Sequence, residues 1–125
     1  MKKINVLVTG AGCGVGQSIL KSLKICKLNL NIISADINEF NAGLYVTNKS
    51  LIIPKVEKKN SLTDFIKIFK TNNIDILFVG SEYETEFFSK NKKIIEKKTN
   101  TIICVSPINT IKIAGDKYLT FKFLK

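Results

Sequence analysis

The chain has no histidine, no tryptophan and, although 20 of its 125 residues are basic, no arginine. Without histidine, imidazole acid–base chemistry and His ligation of a metal are excluded within it. Without arginine it lacks the planar fork that pairs two-to-two with phosphate or carboxylate. Its three cysteines, Cys13, Cys26 and Cys104, are odd in number and far apart, which fits neither a disulfide framework nor a zinc site. No apolar run approaches the ~18 residues of a membrane-spanning helix. The opening Met1-Lys2-Lys3 leads into a strand with no apolar leader, so the expectation is a cytoplasmic chain.

What is present is mostly lysine and aliphatic side chains. The formal net charge is +10, and 45% of the residues are hydrophobic, enough for one domain with a real core. The lysines are scattered, with only short pairs such as Lys58-Lys59, Lys92-Lys93 and Lys97-Lys98. A nucleic-acid interface concentrates its charge and favours arginine. The lysines are therefore read as a solvated surface.

The glycines are concentrated where the rest is sparse. Gly10, Gly12, Gly14 and Gly16 follow the apolar run Ile4, Val6, Leu7, Val8. That order predicts a strand buried on both faces, a tight turn and a helix whose free N–H groups face back toward the turn. The first helix is expected over about 15–24, burying Val15, Ile19 and Leu23. A second strand follows over 31–35, ending at Asp36, then an irregular stretch over 37–48 and a third strand over 50–53 stopped by Pro54. Ser61-Leu62-Thr63-Asp64 reads as a variant capping box for a helix burying Leu62, Phe65, Ile66 and Phe69. A fourth strand over 76–79 ends at Gly80. A polar helix follows from Glu82 to about Lys98, with Tyr83, Phe87, Ile94 and Ile95 on its apolar side. A fifth strand, 101–105, precedes a short helix opened by Pro107. Asp116 caps a last helix with Tyr118, Phe121 and Leu124 along one face. Nothing caps its far end, so the chain reads as cut off.

Alternating strands and helices predict an α/β fold: an open, Rossmann-like parallel sheet of about five strands in order 3-2-1-4-5, helices on both faces. The ends of strands one and four then lie side by side. That places Gly12, Cys13, Gly14 and Gly16 beside Gly80-Ser81-Glu82-Tyr83-Glu84, where open α/β sheets bind ligands. Glu82 and Glu84 could hold an ammonium or hydroxyl group there, or could merely face the helix dipole. Cys13, near a helix start, is either a favoured thiolate or a small loop residue.

Two resemblances follow from these residues. The spacing Thr9-Gly10-x-x-x-Gly14-x-Gly16, with Asp36 twenty residues beyond Gly16, resembles the short-chain dehydrogenases, and there implies that Asp36 takes the ribose hydroxyls of NAD(P). Tyr118-x-x-x-Lys122, with Ser106 upstream, mimics that family's catalytic pair, but comes too early in so short a chain, and Tyr118 falls on the apolar stripe. The fuller resemblance is to the N-terminal domain of ATP-grasp enzymes, in the branch resembling the carbamoyl-phosphate synthase large chain. It is carried by Val8-Thr9-Gly10-Ala11-Gly12 with Gly14 and Gly16, Ser34-Ala35-Asp36, Ala42-Gly43-Leu44-Tyr45, Ile53-Pro54-Lys55, Gly80-Ser81-Glu82-Tyr83-Glu84 and Gly115-Asp116-Lys117.

This second resemblance implies a carboxylate–amine ligase that works through an acyl phosphate and uses ATP and magnesium. The present chain would be its substrate-side domain, with Gly12–Gly16 and Glu82 facing the small-molecule substrate, Glu84 a second candidate, and Lys117 reaching ATP phosphate. Residues 1–115 would form the pre-ATP-grasp domain and 116–125 the start of an ATP-grasp domain. The remaining ATP-grasp domains, which hold ATP and magnesium, would lie in cis or in a partner subunit, so the chain alone is not expected to catalyse. A loosely held last helix could also pair with a second copy. The other readings are an NAD(P)-binding domain that depends on Asp36 and a non-enzymatic interaction module.

Overall fold

The computed structural model describes residues 3–125; Met1 and Lys2, with the reading made of them, lie outside the described residues. Its strands are β1 (Ile4–Val8), β2 (Leu30–Asp36), β3 (Lys49–Ile52), β4 (Ile76–Phe78) and β5 (Ile102–Cys104). They form one sheet in the order β3-β2-β1-β4-β5, every pairing parallel, as the alternation of elements predicts. The helices are α1 (Gly14–Ile25), α2 (Ser61–Thr71), α3 (Glu82–Thr99), α4 (Ile108–Gly115) and α5 (Lys117–Phe123), with a 3₁₀ turn at Ala42–Val46 inside the stretch expected to be irregular.

Alternation along β1 sends its side chains to opposite faces of the sheet. Val6 and Val8 pack with Ala11 and Leu20 under α1. Leu7 joins Ile33, Leu77, Ile103 and the phenylalanines of α2 and α3 on the other face. The larger core is a ring cluster: the Phe65 and Phe88 centroids lie 5.0 Å apart, nearly edge to face, and Phe69 and Phe87 close around them.

Three local expectations are corrected. In α1, Gly16 and Leu20 are buried and Ile19 and Leu23 half-buried, whereas Val15 is 60% exposed. The closeness of Gly16 to the Gly10 carbonyl turns the neighbouring Val15 outward. In α2 the expected capping box does not form. Asn60 is the N-cap residue, and the Ser61 hydroxyl donates to the Val56 carbonyl 2.9 Å away. In α3 the buried residues are Glu84, Phe88 and Ile95; of the expected apolar side, Ile95 is buried and Phe87 packs against the core, whereas Tyr83 is 82% exposed and Ile94 faces out. Phe88 packs edge-on against Phe65 at the centre of the ring cluster, and Glu84, one turn earlier, shares its buried face.

The last helix keeps its predicted cap. Asp116 Oδ1 accepts from the N–H groups of Tyr118 and Leu119 at 2.8 and 2.9 Å. Tyr118 is exposed rather than packed in a core, as are Phe121, Phe123 and Leu124. Lys122 Nζ lies 5.0 Å from the Tyr118 ring centroid, so that pair is a cation–π contact on the surface. No described helix is long and apolar enough to cross a membrane.

Phe88→Ala should remove the centre of the ring cluster and lower stability by about 3–5 kcal/mol. Urea unfolding measures this; a loss under 1 kcal/mol would place the core elsewhere.

Candidate functional site

The site begins with a backbone contact. Gly10 sits at φ +57°, a conformation that L side chains adopt with strain. It turns the chain out of β1 so that α1 starts directly over the sheet edge. A Cβ at Gly16 would lie 2.1 Å from the Gly10 carbonyl oxygen, and one at Gly80 would lie 2.2 Å from the Thr9 carbonyl oxygen and 2.7 Å from Gly16 Cα. The turn after β1 and the end of β4 are therefore packed backbone on backbone, as the strand order requires. Gly16 serves this packing and does not present a ligand surface. Gly14 has open space where its side chain would be, and Cys13, at the N-cap, is exposed. No side chain caps the start of α1.

Gly12 and Asp36 are joined to each other. The Gly12 N–H donates to Asp36 Oδ2 at 2.9 Å, and the Asn38 N–H donates to Oδ1 at 3.1 Å. Asp36 is buried; its Oδ2 ties the turn to the end of β2, while its Oδ1 holds the backbone two residues beyond Asp36 itself. The Asn41 side chain fills the space above Gly12, where a Cβ would lie 1.7–1.9 Å from its terminal atoms. A dinucleotide would need Asp36 free for ribose and the space above the glycines open for pyrophosphate. Neither condition is met in this arrangement.

The three acids at the start of α3 diverge. Glu82 is exposed and lines a cavity of about 740 Å³ shared with Asp116 and Lys117. Glu86 pairs with Lys90 one turn on, and that ammonium holds its carboxyl below the usual range. Glu84 turns inward and is 5% exposed. Burial pushes its carboxyl up to about 7; a hydrogen bond with Thr9 opposes this, and the negative charges of Asp36 and Glu57 add to it. Its Oε2 has no hydrogen-bond partner. Glu84 also lines a separate cavity of about 180 Å³ with Ile37, Lys55, Val56, Glu57, Ser81 and Tyr83.

The predicted site residues thus fall into groups. Gly12, Gly16 and Asp36 build the turn, Cys13 and Gly14 are open at its outer side, Glu84 lies in the small cavity, and Glu82 and Lys117 share the large one. Sequence reasoning gave no role to Asn41 or Glu57. Neither belongs to a spacing pattern; each is placed by loops that converge only in the folded chain.

Residues 6–103 match the profile of the family described as PylC-like, N-terminal domain. The chain belongs to this family. The PylC-like domain is 35% identical over 83 residues to a tyramine–L-glutamate ligase of Methanocaldococcus jannaschii, across 65% of this chain and 26% of that protein. It therefore spans about a quarter of the length of the curated relative it matches. Its fold is similar to that of N5-carboxyaminoimidazole synthetase from Staphylococcus aureus, solved with ADP, at TM-score 0.64 and 16% identity over 97% of this chain and 29% of that one. A metagenomic monomeric L-threonine 3-dehydrogenase has a similar fold too, at TM-score 0.59 and 20% identity over 78% of this chain and 34% of that one. Fold likeness alone thus fits both resemblances, and the family match decides for the N-terminal domain of ATP-grasp enzymes.

Glu84 makes stability depend on pH with a definite sign. Its folded value, about 7, lies above its ordinary 4.5, so the folded chain keeps a proton that the unfolded chain has lost between those values. The associated stability is full below about 4.5 and is lost as pH rises through about 7. Relative to wild type, Glu84→Gln should gain about 2–3 kcal/mol between pH 5 and pH 8. Urea unfolding at both pH values measures the gain; a constant difference between the two proteins would contradict the assignment.

Proposed function

We propose that the chain is the substrate-side domain of an ATP-dependent carboxylate–amine ligase that works through an acyl phosphate. The observation that carries this is the meeting of the β1 turn with the acid-bearing start of α3 at the carboxyl edge of the sheet, in a chain of the PylC-like N-terminal family. Glu82, Glu84 and the open backbone at Cys13 and Gly14 form the side of the site that faces the small-molecule acid or amine. The tyramine–glutamate ligase relative joins an amine to an amino acid by its name, which supports this substrate class.

In this reading ATP and magnesium belong to the reaction, and most of their site lies on other domains. Among the described residues, no group of three His, Cys, Asp or Glu could hold a metal ion. Lys117 is a single cation at the start of a short helix, beside Asp116. We assign it a contact with ATP phosphate and place the rest of the nucleotide site on ATP-grasp domains in cis or in a partner subunit. Residues 1–115 are the pre-ATP-grasp domain in this reading. Residues 116–125 begin the next domain, and their exposed Tyr118, Phe121, Phe123 and Leu124 are what that domain, or a second copy, would cover.

The test is ADP release by the longer polypeptide that carries this chain, given ATP, magnesium and pairs drawn from amino acids and primary amines. ADP should form only when a competent acid–amine pair is present, and the 125-residue chain alone should release none. Glu82→Ala should raise the acceptor KM roughly tenfold or more, the worth of one charged hydrogen bond, with the fold intact. No ADP with any pair would defeat the ligase reading, and an unchanged KM would remove Glu82 from the site.

A further inference from the structure

The small cavity beneath the Gly80–Glu84 corner has an electrostatic demand that none of the described residues meets. Glu84 Oε2 is buried without a partner. The charges acting on Glu84 are Asp36, at the end of β2, and Glu57, in the loop after β3, both negative. The basic residue on the wall, Lys55, is exposed and does not hydrogen-bond to Oε2. Thr9, at the end of β1, meets the carboxyl group. Leaving one carboxylate oxygen unpaired in a buried place costs free energy, and a bound cation would relieve it.

We propose that this cavity seats a primary ammonium group carried on a short apolar stem. The inference rests on the substrate-side reading above and names the end of the substrate that the small cavity takes. An ammonium brings three donors and no acceptor. The lining residues Glu84, Glu57 and Ser81 carry acceptor oxygens, and Ile37, Val56 and Tyr83 carry apolar surface for the stem. An organic cation fits better than a metal ion, because no metal-holding trio exists among the described residues. Oε2 is closed off from solvent, so the seat opens by rotation of Glu84 or of the exposed Tyr83 at its rim. Binding uses the carboxylate form: as the ammonium arrives, the protonated fraction of Glu84 gives its proton to solvent, about half a proton per cation at pH 7 and approaching one as the pH falls below that.

The probe is n-butylammonium chloride titrated into the chain and followed by amide resonances, with 1-butanol as the uncharged isostere. The amine stays cationic throughout the working range, as a lysine does. It should shift the amides of Val56 and of residues 81–84. Its Kd should be roughly tenfold larger at pH 6 than at pH 8, the ratio of ionised Glu84 at those pH values for a group titrating near 7. Butanol should bind more weakly and show no pH dependence, and Glu84→Gln should abolish the pH dependence of the amine. The wild-type pH series stands alone if that variant does not fold. Equal affinity for amine and alcohol, a Kd unchanged between pH 6 and pH 8, or shifts confined elsewhere overturns the seat. If the amine binds as described and the longer polypeptide performs no ligation, the seat stands and the ligase reading falls. If ligation proceeds and the titration fails, the reverse holds.

Discussion

The whole carboxyl edge of this sheet depends on three glycines touching without side chains between them. Gly16 lies over the Gly10 carbonyl, and Gly80 lies against both Thr9 and Gly16, so that a Cβ at any of the three would stand 2.1–2.8 Å from the nearest main-chain atom. Distances that short force backbone to move rather than a side chain to turn. The contact fixes how closely α1 and α3 begin to one another. It thereby places Glu84, four residues after Gly80, beside Thr9 and away from water. The unusual chemistry of the site follows from that packing more than from any local signal around Glu84.

Burial of one acid then organises its surroundings. Asp36 accepts from two backbone N–H groups, whereas Glu84 has one oxygen paired with Thr9 and one left over. The two acids are close enough to influence each other, yet only one has an outlet into a cavity. The same atoms explain why the dinucleotide reading loses its footing: the residue that would hold ribose is the one that pins the turn.

Much of this was legible in the sequence. Apolar runs ending in Gly10, Asp36, Pro54 and Gly80 marked the strands, and parallel crossover rules gave their order. The juxtaposition of Gly10–Gly16 with Gly80–Glu84 followed from topology alone. The helix faces were harder. On α3 the expected set was Tyr83, Phe87, Ile94 and Ile95; Ile95 is buried and Phe87 packs against the core, but Tyr83 and Ile94 face out while Glu84 and Phe88 take the buried positions. What decides is the phenylalanine cluster contributed from α2, which no periodicity within α3 can report. For the same reason Asn41 over Gly12 and Glu57 beside Glu84 were invisible, since each is brought in by a loop.

The central claim is that the corner made by Gly80 holds Glu84 in a place where its charge is costly until a partner arrives. The most direct measurement is the side-chain carboxyl ¹³C titration of Glu84 in the ligand-free chain. The account predicts a midpoint near 7. A midpoint near the ordinary 4.5 would mean that Glu84 is solvated, and would contradict both the buried seat and the packing argument that places it.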